Sequence, residues 1–287
     1  QKKKIKGEYM DYEKQIENDA EEIINGKGYV VIPNVFTKEE IKEAKDLIDK
    51  NMDMLLEEAG KKSAIQGEYD DKKDSANLVQ GKIIVWNLVY KGKIFEKMAQ
   101  KKRVVDVFKK VLGNSVVLGS FAARTVNPGD KSQLPHVDYP YFDMHTMERY
   151  PKNINFSFLM NCQSTIMIDD FTEDNGSTAL VPGSQKWGTY PKDTDKYFKE
   201  CIRVTGESGS AFLMTGACWH GSYESKENCG DRRAILGQYL PGFVKPMEDW
   251  EKGSKFPGGE DIKNNFSDDL KALLFGYDYP RIMQEAD

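Results

Sequence analysis

Two histidines and one aspartate are the residues of this sequence best suited to bind a metal. His136 lies two positions before Asp138, and His220 follows much later in a Trp-His-Gly-Ser segment. On an extended segment, residues i and i+2 point to the same side, so His136 and Asp138 would present an imidazole and a carboxylate together. Two histidines and one carboxylate on one face of a metal form the facial triad of non-haem Fe(II) oxygenases. The spacing therefore predicts a metal site at these three residues.

An arginine pair, Arg232-Arg233, comes shortly after the second histidine. A guanidinium group matches a carboxylate through two parallel hydrogen bonds, which suits it to hold the far carboxylate of a 2-oxoacid cosubstrate. The HxD pair alone is as typical of a structural setting as of a metal site. The combination of HxD, distal histidine and trailing arginine favours the metal site.

The same ligands leave a second class of function open. A His/Asp/His set can hold zinc or manganese in a hydrolase or an isomerase, or can belong to a binding module without turnover. The feature that separates these classes is Arg232 together with Ser222, because a hydrolase of this type has no need for a carboxylate anchor there.

Composition narrows the range of partners. The chain has 287 residues, of which 39% are hydrophobic and 30% charged, as expected of a globular protein. A net charge of −5 disfavours binding to nucleic acid. No apolar stretch has the length of a membrane span, so no membrane partner is expected. We expect a small-molecule substrate and a monomer or weak homodimer.

The four cysteines indicate a reducing environment. They form no CxxC motif, and four cysteines in a chain of this length do not make a disulfide framework. Reduced thiols in the cytoplasm or another reducing compartment are the expectation, with a Cys218–Cys229 disulfide left open. The chain begins with Gln1, which also leaves open a removed N-terminal targeting segment.

The elements that must position these residues change in character along the chain. We predict one domain over 1–287, with a helix-rich part (1–114), a β core carrying the site (115–241) and a C-terminal extension (242–287). In the first part, the sequence predicts helices within 1–26, after the capping box Thr37-Lys-Glu-Glu40, and over 93–112. Residues 60–80 are rich in Lys, Asp, Gly and Ser and predict a mobile loop.

Short strands dominate the rest of the chain. Segments with β-branched or alternating residues, bounded by turn signals, predict strands at 28–33, 82–86, 115–126, 155–160, 166–168, 178–181, 211–214, 218–220 and 234–240. Many short strands separated by turns indicate a β-sandwich or barrel. Because helices come first and strands follow, the predicted fold class is α+β.

From about residue 27 to residue 241, the chain resembles the phytanoyl-CoA dioxygenase family of Fe(II)/2-oxoglutarate oxygenases. The resemblance rests on four segments of the chain. They are residues 28–40, His136-Val-Asp138, the block Glu173-Asp-Asn-Gly-Ser-Thr-Ala-Leu-Val-Pro-Gly-Ser184 followed by Lys186-Trp-Gly188, and Trp219-His-Gly-Ser222 with Arg232-Arg-Ala234. It implies a double-stranded β-helix (jelly-roll, cupin-like) core with N-terminal helices packed on one sheet.

The resemblance also implies cofactors and residue roles. Iron would be held by His136, Asp138 and His220, and 2-oxoglutarate by Arg232 with Ser222. Gln133 is a further candidate for contact with the cofactors. O₂ would be the oxidant, and ascorbate an additional reductant.

The implied reaction is activation of a C–H bond with release of succinate and CO₂. With Asp138 present, hydroxylation is the default outcome, and cyclisation or desaturation stays open. The sequence favours a small polar, carboxylate-bearing metabolite or natural-product intermediate as substrate. Arg124, Tyr139 and Tyr141 are candidate substrate contacts, and residues 139–150 are expected to form a lid over the site.

Overall fold

The computed structural model describes residues 2–58, 78–79, 82–139, 157–253, 255 and 258–276. The strands are β1 (Tyr29–Ile32), β2 (Leu78–Val79), β3 (Lys82–Val85), β4 (Val116–Val126), β5 (Gln133–His136), β6 (Cys162–Met167), β7 (Thr178–Leu180), β8 (Ile202–Val204), β9 (Ala211–Thr215), β10 (His220–Ser222) and β11 (Arg232–Pro241). The helices are α1 (Lys2–Ile24), α2 (Lys38–Glu58), α3 (Lys93–Ala99), α4 (Lys102–Leu112), α5 (Thr194–Glu200), α6 (Trp250–Gly253), α7 (Gly259–Asn264) and α8 (Asp268–Phe275).

The described strands form two antiparallel sheets. The larger has the order β1-β9-β6-β11-β4-β3-β2, and the smaller has the order β5-β10-β7-β8. Side chains from both sheets line one internal cavity, so the sheets lie face to face. This is the arrangement of a double-stranded β-helix with helices at its start, and the predicted α+β class is confirmed. The division of the chain into a single domain stays a prediction.

The N-terminal helices cover the larger sheet with apolar faces. On α1, Ile16, Ala20 and Ile23 recur at helical spacing and are buried, and the helix packs against β1, β9 and α4. Helix α2 begins at the predicted capping box: the amide of Thr37 donates to Glu40 Oε2 at 2.9 Å, and the amide of Glu40 donates to Thr37 Oγ1 at 3.2 Å.

An ion-pair network fastens α2 to the larger sheet. Arg233 Nε donates to Asp49 Oδ1 on α2 at 2.5 Å, and Arg233 Nη1 donates to Asp169 Oδ2 at 3.0 Å. Lys45, also on α2, reaches the other oxygen of Asp169. The Arg233 side chain therefore points outward from the barrel, toward the helices.

Three sequence predictions about the elements are wrong in detail. The helix predicted over 93–112 is two helices, which break at Gln100 and Lys101 so that α3 packs on α2 and α4 packs on α1 and β4. Residues 157–160 are not a strand: their alternation is real, but the Phe158 carbonyl accepts from the Tyr139 hydroxyl, and pairing with neighbouring strands begins at Cys162. The strand predicted at 218–220, which carries the second histidine, begins at His220 and not at Cys218.

The loop predicted over 60–80 lies mostly outside the described residues, and Leu78–Val79 within it pairs with β3 as a short strand. The remaining helix and strand predictions are confirmed to within a few residues. All four cysteine thiols are free. Within the described part of the chain, no helix combines the length and apolarity needed to span a bilayer.

A bulge in β4 anchors the C-terminal part of the chain to the barrel. Gln238 pairs with Ser120 but Tyr239 pairs with Leu118, so Gly119 has no partner on β11. The Gly119 carbonyl instead accepts from the amides of Met247 and Glu248, each at 2.9 Å. The Glu248 carboxylate accepts from the amides of Phe121 at 2.7 Å and Asn87 at 2.6 Å.

The buried Glu248 carboxyl makes the stability of the fold depend on pH. Burial raises its pKa to about 8, although the amides of Phe121 and Asn87 act in the opposite direction. The pKa of Glu248 in the folded protein thus lies above its ordinary value of 4.5. The stability that the folded state gains from protonating this carboxyl is therefore fully present below about pH 4.5 and is lost as the pH rises through about 8.

Urea unfolding between about pH 5 and pH 8 should show a free energy of unfolding that falls with pH, and Glu248→Gln should flatten the profile. The exposed neighbour variant Asp249→Asn should keep the wild-type slope, and equal slopes in all three proteins would contradict the assignment.

Candidate metal centre

Strand pairing brings the two histidines together. His136 is the last residue of β5, His220 is the first residue of β10, and the two are direct partners in the antiparallel ladder. Their ring centroids are 4.3 Å apart. Asp138 Oδ2 lies 3.3 Å from His220 Nε2, and Asp138 Oδ1 lies 3.8 Å from His136 Nε2. One ligand atom from each residue lies within 4.8 Å of the others, which is the spacing of a shared metal ion.

Hydrogen bonds orient both imidazoles in the same way. His136 Nδ1 lies 3.0 Å from the carbonyl of Leu134, and His220 Nδ1 lies 2.9 Å from the carbonyl of Cys218. A carbonyl only accepts, so each Nδ1 carries the proton and each Nε2 presents a lone pair toward Asp138. This is the arrangement of metal-bound histidines in proteins, in which the second ring nitrogen donates to a carbonyl. The donor set therefore fits a ferrous ion with open coordination positions.

The carboxylate is positioned by its backbone. The amide of Asp138 donates to the Gly216 carbonyl at 2.8 Å, and Asn161 Nδ2 donates to the Asp138 carbonyl at 2.6 Å. A Cβ at position 216 would lie 1.8 Å from Asn161 Oδ1, so only glycine leaves room for this side chain. Sequence reasoning missed both positioning residues, because no spacing relates them to the HxD motif.

Burial and charge act against each other on His220. Burial alone would lower its pKa, but the Asp138 carboxylate and the hydrogen bonds of the ring outweigh burial and raise the pKa above its ordinary value. The Asp138 side chain is itself 3% exposed. Two imidazoles and a carboxylate so deeply buried form a site prepared for a cation.

The three ligands open into a cavity of about 340 Å³ between the two sheets. One end of this cavity, here called the cationic end, is formed by Arg124 on β4 and Arg232 on β11. Their partners in the ladder are Ala234 and Val126 respectively, which makes the two arginines diagonal neighbours on the same sheet face. Thr178, Ser222 and Gln133 of the smaller sheet line the same cavity.

Arg232 is buried, and the carboxylates of Asp169 and Asp130 act on it only through space. Its Nε donates to the Asn175 carbonyl at 3.1 Å, and its guanidinium lies 4.1 Å from the centroid of the Phe171 ring. Among the described residues, no carboxylate forms an ion pair with it. Burial and the nearby charge of Arg124 lower the pKa of Arg232 to about 9, so the group is still a cation at neutral pH. A buried guanidinium with no ion-pair partner is costly, and a bound carboxylate would relieve that cost.

Hydrogen bonds connect the remaining predicted residues to the cationic end. The amide of Gln133 donates to Ser222 Oγ at 3.0 Å, which leaves the Ser222 hydroxyl proton to donate elsewhere. Gln133 Oε1 accepts from Arg124 Nη1 at 3.4 Å. Within the described part of the chain, Arg124 Nε is buried with no hydrogen-bond partner, and burial lowers the pKa of this arginine.

Seven of the nine residues predicted for the site line this cavity: His136, Asp138, His220, Arg232, Ser222, Gln133 and Arg124. Tyr139 does not. Its ring is packed in the main hydrophobic core, and its hydroxyl donates to the Phe158 carbonyl at 3.1 Å. Alternation explains this placement, because Val137 and Tyr139 point away from the face that His136 and Asp138 share. Tyr141 and residues 140–150 of the expected lid lie outside the described residues, so the lid stays a prediction.

The fold and the three ligands define a double-stranded β-helix with a mononuclear metal centre. The family model described as "Phytanoyl-CoA dioxygenase (PhyH)" matches residues 24–234. The chain therefore belongs to the phytanoyl-CoA dioxygenase family and is a dioxygenase, which confirms the resemblance seen in the sequence.

Curated relatives carry the same class of name. Dioxygenase af480 of Aspergillus fumigatus is 24% identical over 266 residues, which cover 89% of this chain and 76% of the relative. Dioxygenase olcK of Penicillium canescens is 24% identical over 80% of this chain and 72% of the relative. The similarity to dioxygenase cdmD of Talaromyces verruculosus is more local, with 30% identity over 43% of this chain and 38% of the relative.

A solved structure shares the fold. HygX from Streptomyces hygroscopicus, in a crystal structure with nickel and 2-oxoglutarate bound, superposes with a TM-score of 0.57 at 16% sequence identity. The match covers 79% of this chain and 87% of HygX. The same protein has also been solved with iron bound, and that structure gives a TM-score of 0.55.

Substitution of each metal ligand should remove the metal. We expect His136→Ala, Asp138→Ala and His220→Ala each to lower affinity for Fe(II), or for Co(II) as a spectroscopic substitute, by roughly tenfold or more, since even residues that only orient ligands have effects of that size. Metal content after dialysis and the Co(II) absorption spectrum measure the loss. The exposed variant Asp195→Ala is the control and should bind like wild type, and circular dichroism should show an intact fold. Normal metal content in any of the three variants would remove that residue from the site.

Proposed function

We propose that this dioxygenase couples the oxidative decarboxylation of 2-oxoglutarate to oxygenation of a C–H bond in a small polar molecule. The observation that carries the proposal is the pairing, in one cavity, of the His/Asp/His site with a buried arginine that lacks a carboxylate partner. A metal that activates O₂ needs open positions, and a dicarboxylic cosubstrate needs a cation at its far end.

Arg232 is the residue we assign to the far carboxylate of 2-oxoglutarate. It lies at the cationic end of the cavity, with Ser222 and Gln133 lining the same space from the opposite sheet. The Ser222 hydroxyl already accepts from the Gln133 amide, so its proton is directed to another acceptor. Arg124 adds a second positive charge beside Arg232, which strengthens the attraction for an anion. We therefore place Arg124 with the cosubstrate, although the sequence suggested contact with the substrate.

The roles of the protein side chains follow from these positions. His136, Asp138 and His220 would hold the metal, and a site with three protein ligands would leave it free to bind the cosubstrate and O₂. Bound iron with 2-oxoglutarate and O₂ supplies the oxidant for the C–H bond. One oxygen atom of O₂ enters succinate, the other enters the hydroxylated product, and CO₂ is released. The shape of the cavity would select which C–H bond is presented to the oxidant.

The other class of function, a metal-dependent hydrolase or a binding module, gives a different expectation for the cationic end. A hydrolase needs a metal-bound water and no second anion site, so the buried Arg232 and the partly buried Arg124 in the same cavity would have no role in it. The discriminating experiment is a metabolite screen in which the Fe(II)-loaded protein is supplied with 2-oxoglutarate and O₂. Stimulated formation of succinate and CO₂ supports the oxygenase. Metal-dependent hydrolysis without consumption of 2-oxoglutarate would favour the alternative.

The adjacent arginines should separate cosubstrate binding from fold stability. Arg232→Ala should weaken binding of 2-oxoglutarate to the metal-loaded protein by about 30-fold or more, since truncating one member of a buried charged pair costs about 2 kcal/mol at least. Arg233→Ala removes the ion pairs to Asp49 and Asp169 and should lower the melting temperature, while leaving the dissociation constant for 2-oxoglutarate within about threefold of wild type. Calorimetric titration with a redox-inert metal in the site measures both variants. A stronger effect of Arg233→Ala on 2-oxoglutarate binding would exchange the two roles.

A further inference from the structure

The wall of the cavity on the larger sheet is a grid of cross-strand rows, and the rows differ in polarity. Strand pairing places Ser120, Gln238, Gln163 and Met214 side by side on four neighbouring strands. The next row consists of Ala122, Leu236, Thr165 and Phe212. Arg124 follows beside Ala234, and Arg232 follows beside Val126. The cavity is therefore polar and uncharged at one end, largely apolar in the middle, and cationic at the other end.

The row of Ser120, Gln238 and Gln163, here called the neutral row, is separated from the cationic end. Successive rows on one face lie about 6.7 Å apart, so Gln238 and Arg124 are roughly 13 Å apart along the strands. All three residues line the cavity that holds the metal ligands. A cosubstrate carboxylate at Arg232 thus leaves the neutral row free for a different molecule.

Gln238 is the residue of this row that points to a ligand. It is 4% exposed, and its Oε1 has no hydrogen-bond partner among the described residues. Buried amide oxygens in proteins are nearly always hydrogen-bonded, so the unpartnered acceptor of a residue that lines the cavity indicates a missing partner. The bulge at Gly119 makes room for this amide: a Cβ at position 119 would lie 2.7 Å from Gln238 Oε1.

The charges around the cavity define what the missing partner can be. Apart from the metal-site residues, the only charged residues that line it among those described are Arg124 and Arg232 at the far end. A carboxylate or an ammonium group at the neutral row would be buried with no opposite charge beside it among the described residues, which is strongly unfavourable. A glutamine amide offers a donor and an acceptor together, and it pairs reciprocally with another amide.

We propose that the neutral row, with Gln238 at its centre, is the subsite that binds the primary substrate through an uncharged hydrogen-bonding group, an amide above all. This assignment rests on the proposed function, since it takes the cationic end to be occupied by 2-oxoglutarate. It replaces the carboxylate-bearing substrate suggested by the sequence with a neutral polar one. Met247 of the C-terminal part, held at the Gly119 bulge, lines the same cavity and contributes an apolar contact for the substrate.

The test uses four compounds with the same ring and different head groups: cyclohexanecarboxamide, cyclohexanemethanol, cyclohexanecarboxylate and cyclohexylmethylammonium. Binding to the full chain, loaded with Zn(II) and 2-oxoglutarate, is measured by saturation-transfer NMR titration. We expect the amide to bind at least tenfold more tightly than the carboxylate and the ammonium compound. Gln238→Met should remove this preference, and Gln238→Glu should shift it to the ammonium compound. Gln185→Met, which changes a buried glutamine outside the cavity, should keep the wild-type preference.

A separate titration with 2-oxoglutarate distinguishes the two proposals. Normal 2-oxoglutarate binding in Gln238→Met, together with loss of the amide preference, supports the subsite. Tighter binding of the carboxylate or ammonium compound, an amide preference that survives Gln238→Met, or failure of all four compounds to bind would overturn it. Failure of 2-oxoglutarate itself to bind the wild-type protein would instead contradict the proposed function.

Discussion

The register between β5 and β10 is the constraint on which the site depends. It sets His220 directly opposite His136, and both rings then face the Asp138 carboxylate. Because side chains alternate along a strand, a shift of one residue would turn one imidazole out of the cavity. Several contacts hold this register: the Gln133 amide bonds to Ser222 Oγ, and the bonds to Gly216 and Asn161 fix the backbone just beyond β5. The HxD motif supplies two of the ligands, and pairing between the strands of the smaller sheet brings in the third.

Charge is distributed unevenly through the cavity, so its regions suit different ligands. The anionic ligand, Asp138, is paired with two imidazoles at the metal site. Of the two arginines at the cationic end, Arg232 is buried and Arg124 is partly buried, and neither has an ion-pair partner among the described residues, so this end of the cavity carries a positive charge. A dicarboxylate can satisfy the metal and an arginine at the same time. The neutral row beyond Leu236 would then meet the substrate, so that cosubstrate and substrate are distinguished by charge.

Much of the site could be predicted from the sequence because its chemistry is local. The HxD spacing, the second histidine and the arginine that follows it can each be recognised from a segment of a few residues. The choice between Arg232 and Arg233 needed the resemblance, since both are arginines, and the structure shows the reason: Arg232 faces the cavity while Arg233 pairs with Asp49 and Asp169 outside it. Aromatic character next to the HxD motif predicts a pocket position for Tyr139, but the alternation that joins His136 to Asp138 turns Tyr139 into the core. Asn161, Gly216 and the neutral row depend on pairing between distant strands, which periodicity along the chain does not reveal.

If the metal and 2-oxoglutarate bind together in this one cavity, the absorption spectrum of the protein should show it. Anaerobic addition of 2-oxoglutarate to the Fe(II)-loaded protein should produce a weak visible charge-transfer band, because the 2-oxoacid group chelates the metal directly. The band should saturate at one equivalent per chain, and it should be absent from His220→Ala. In Arg232→Ala it should appear only at much higher concentrations of 2-oxoglutarate. If Fe(II) binds to the wild-type protein but no band forms at any concentration of 2-oxoglutarate, the account of this site is wrong.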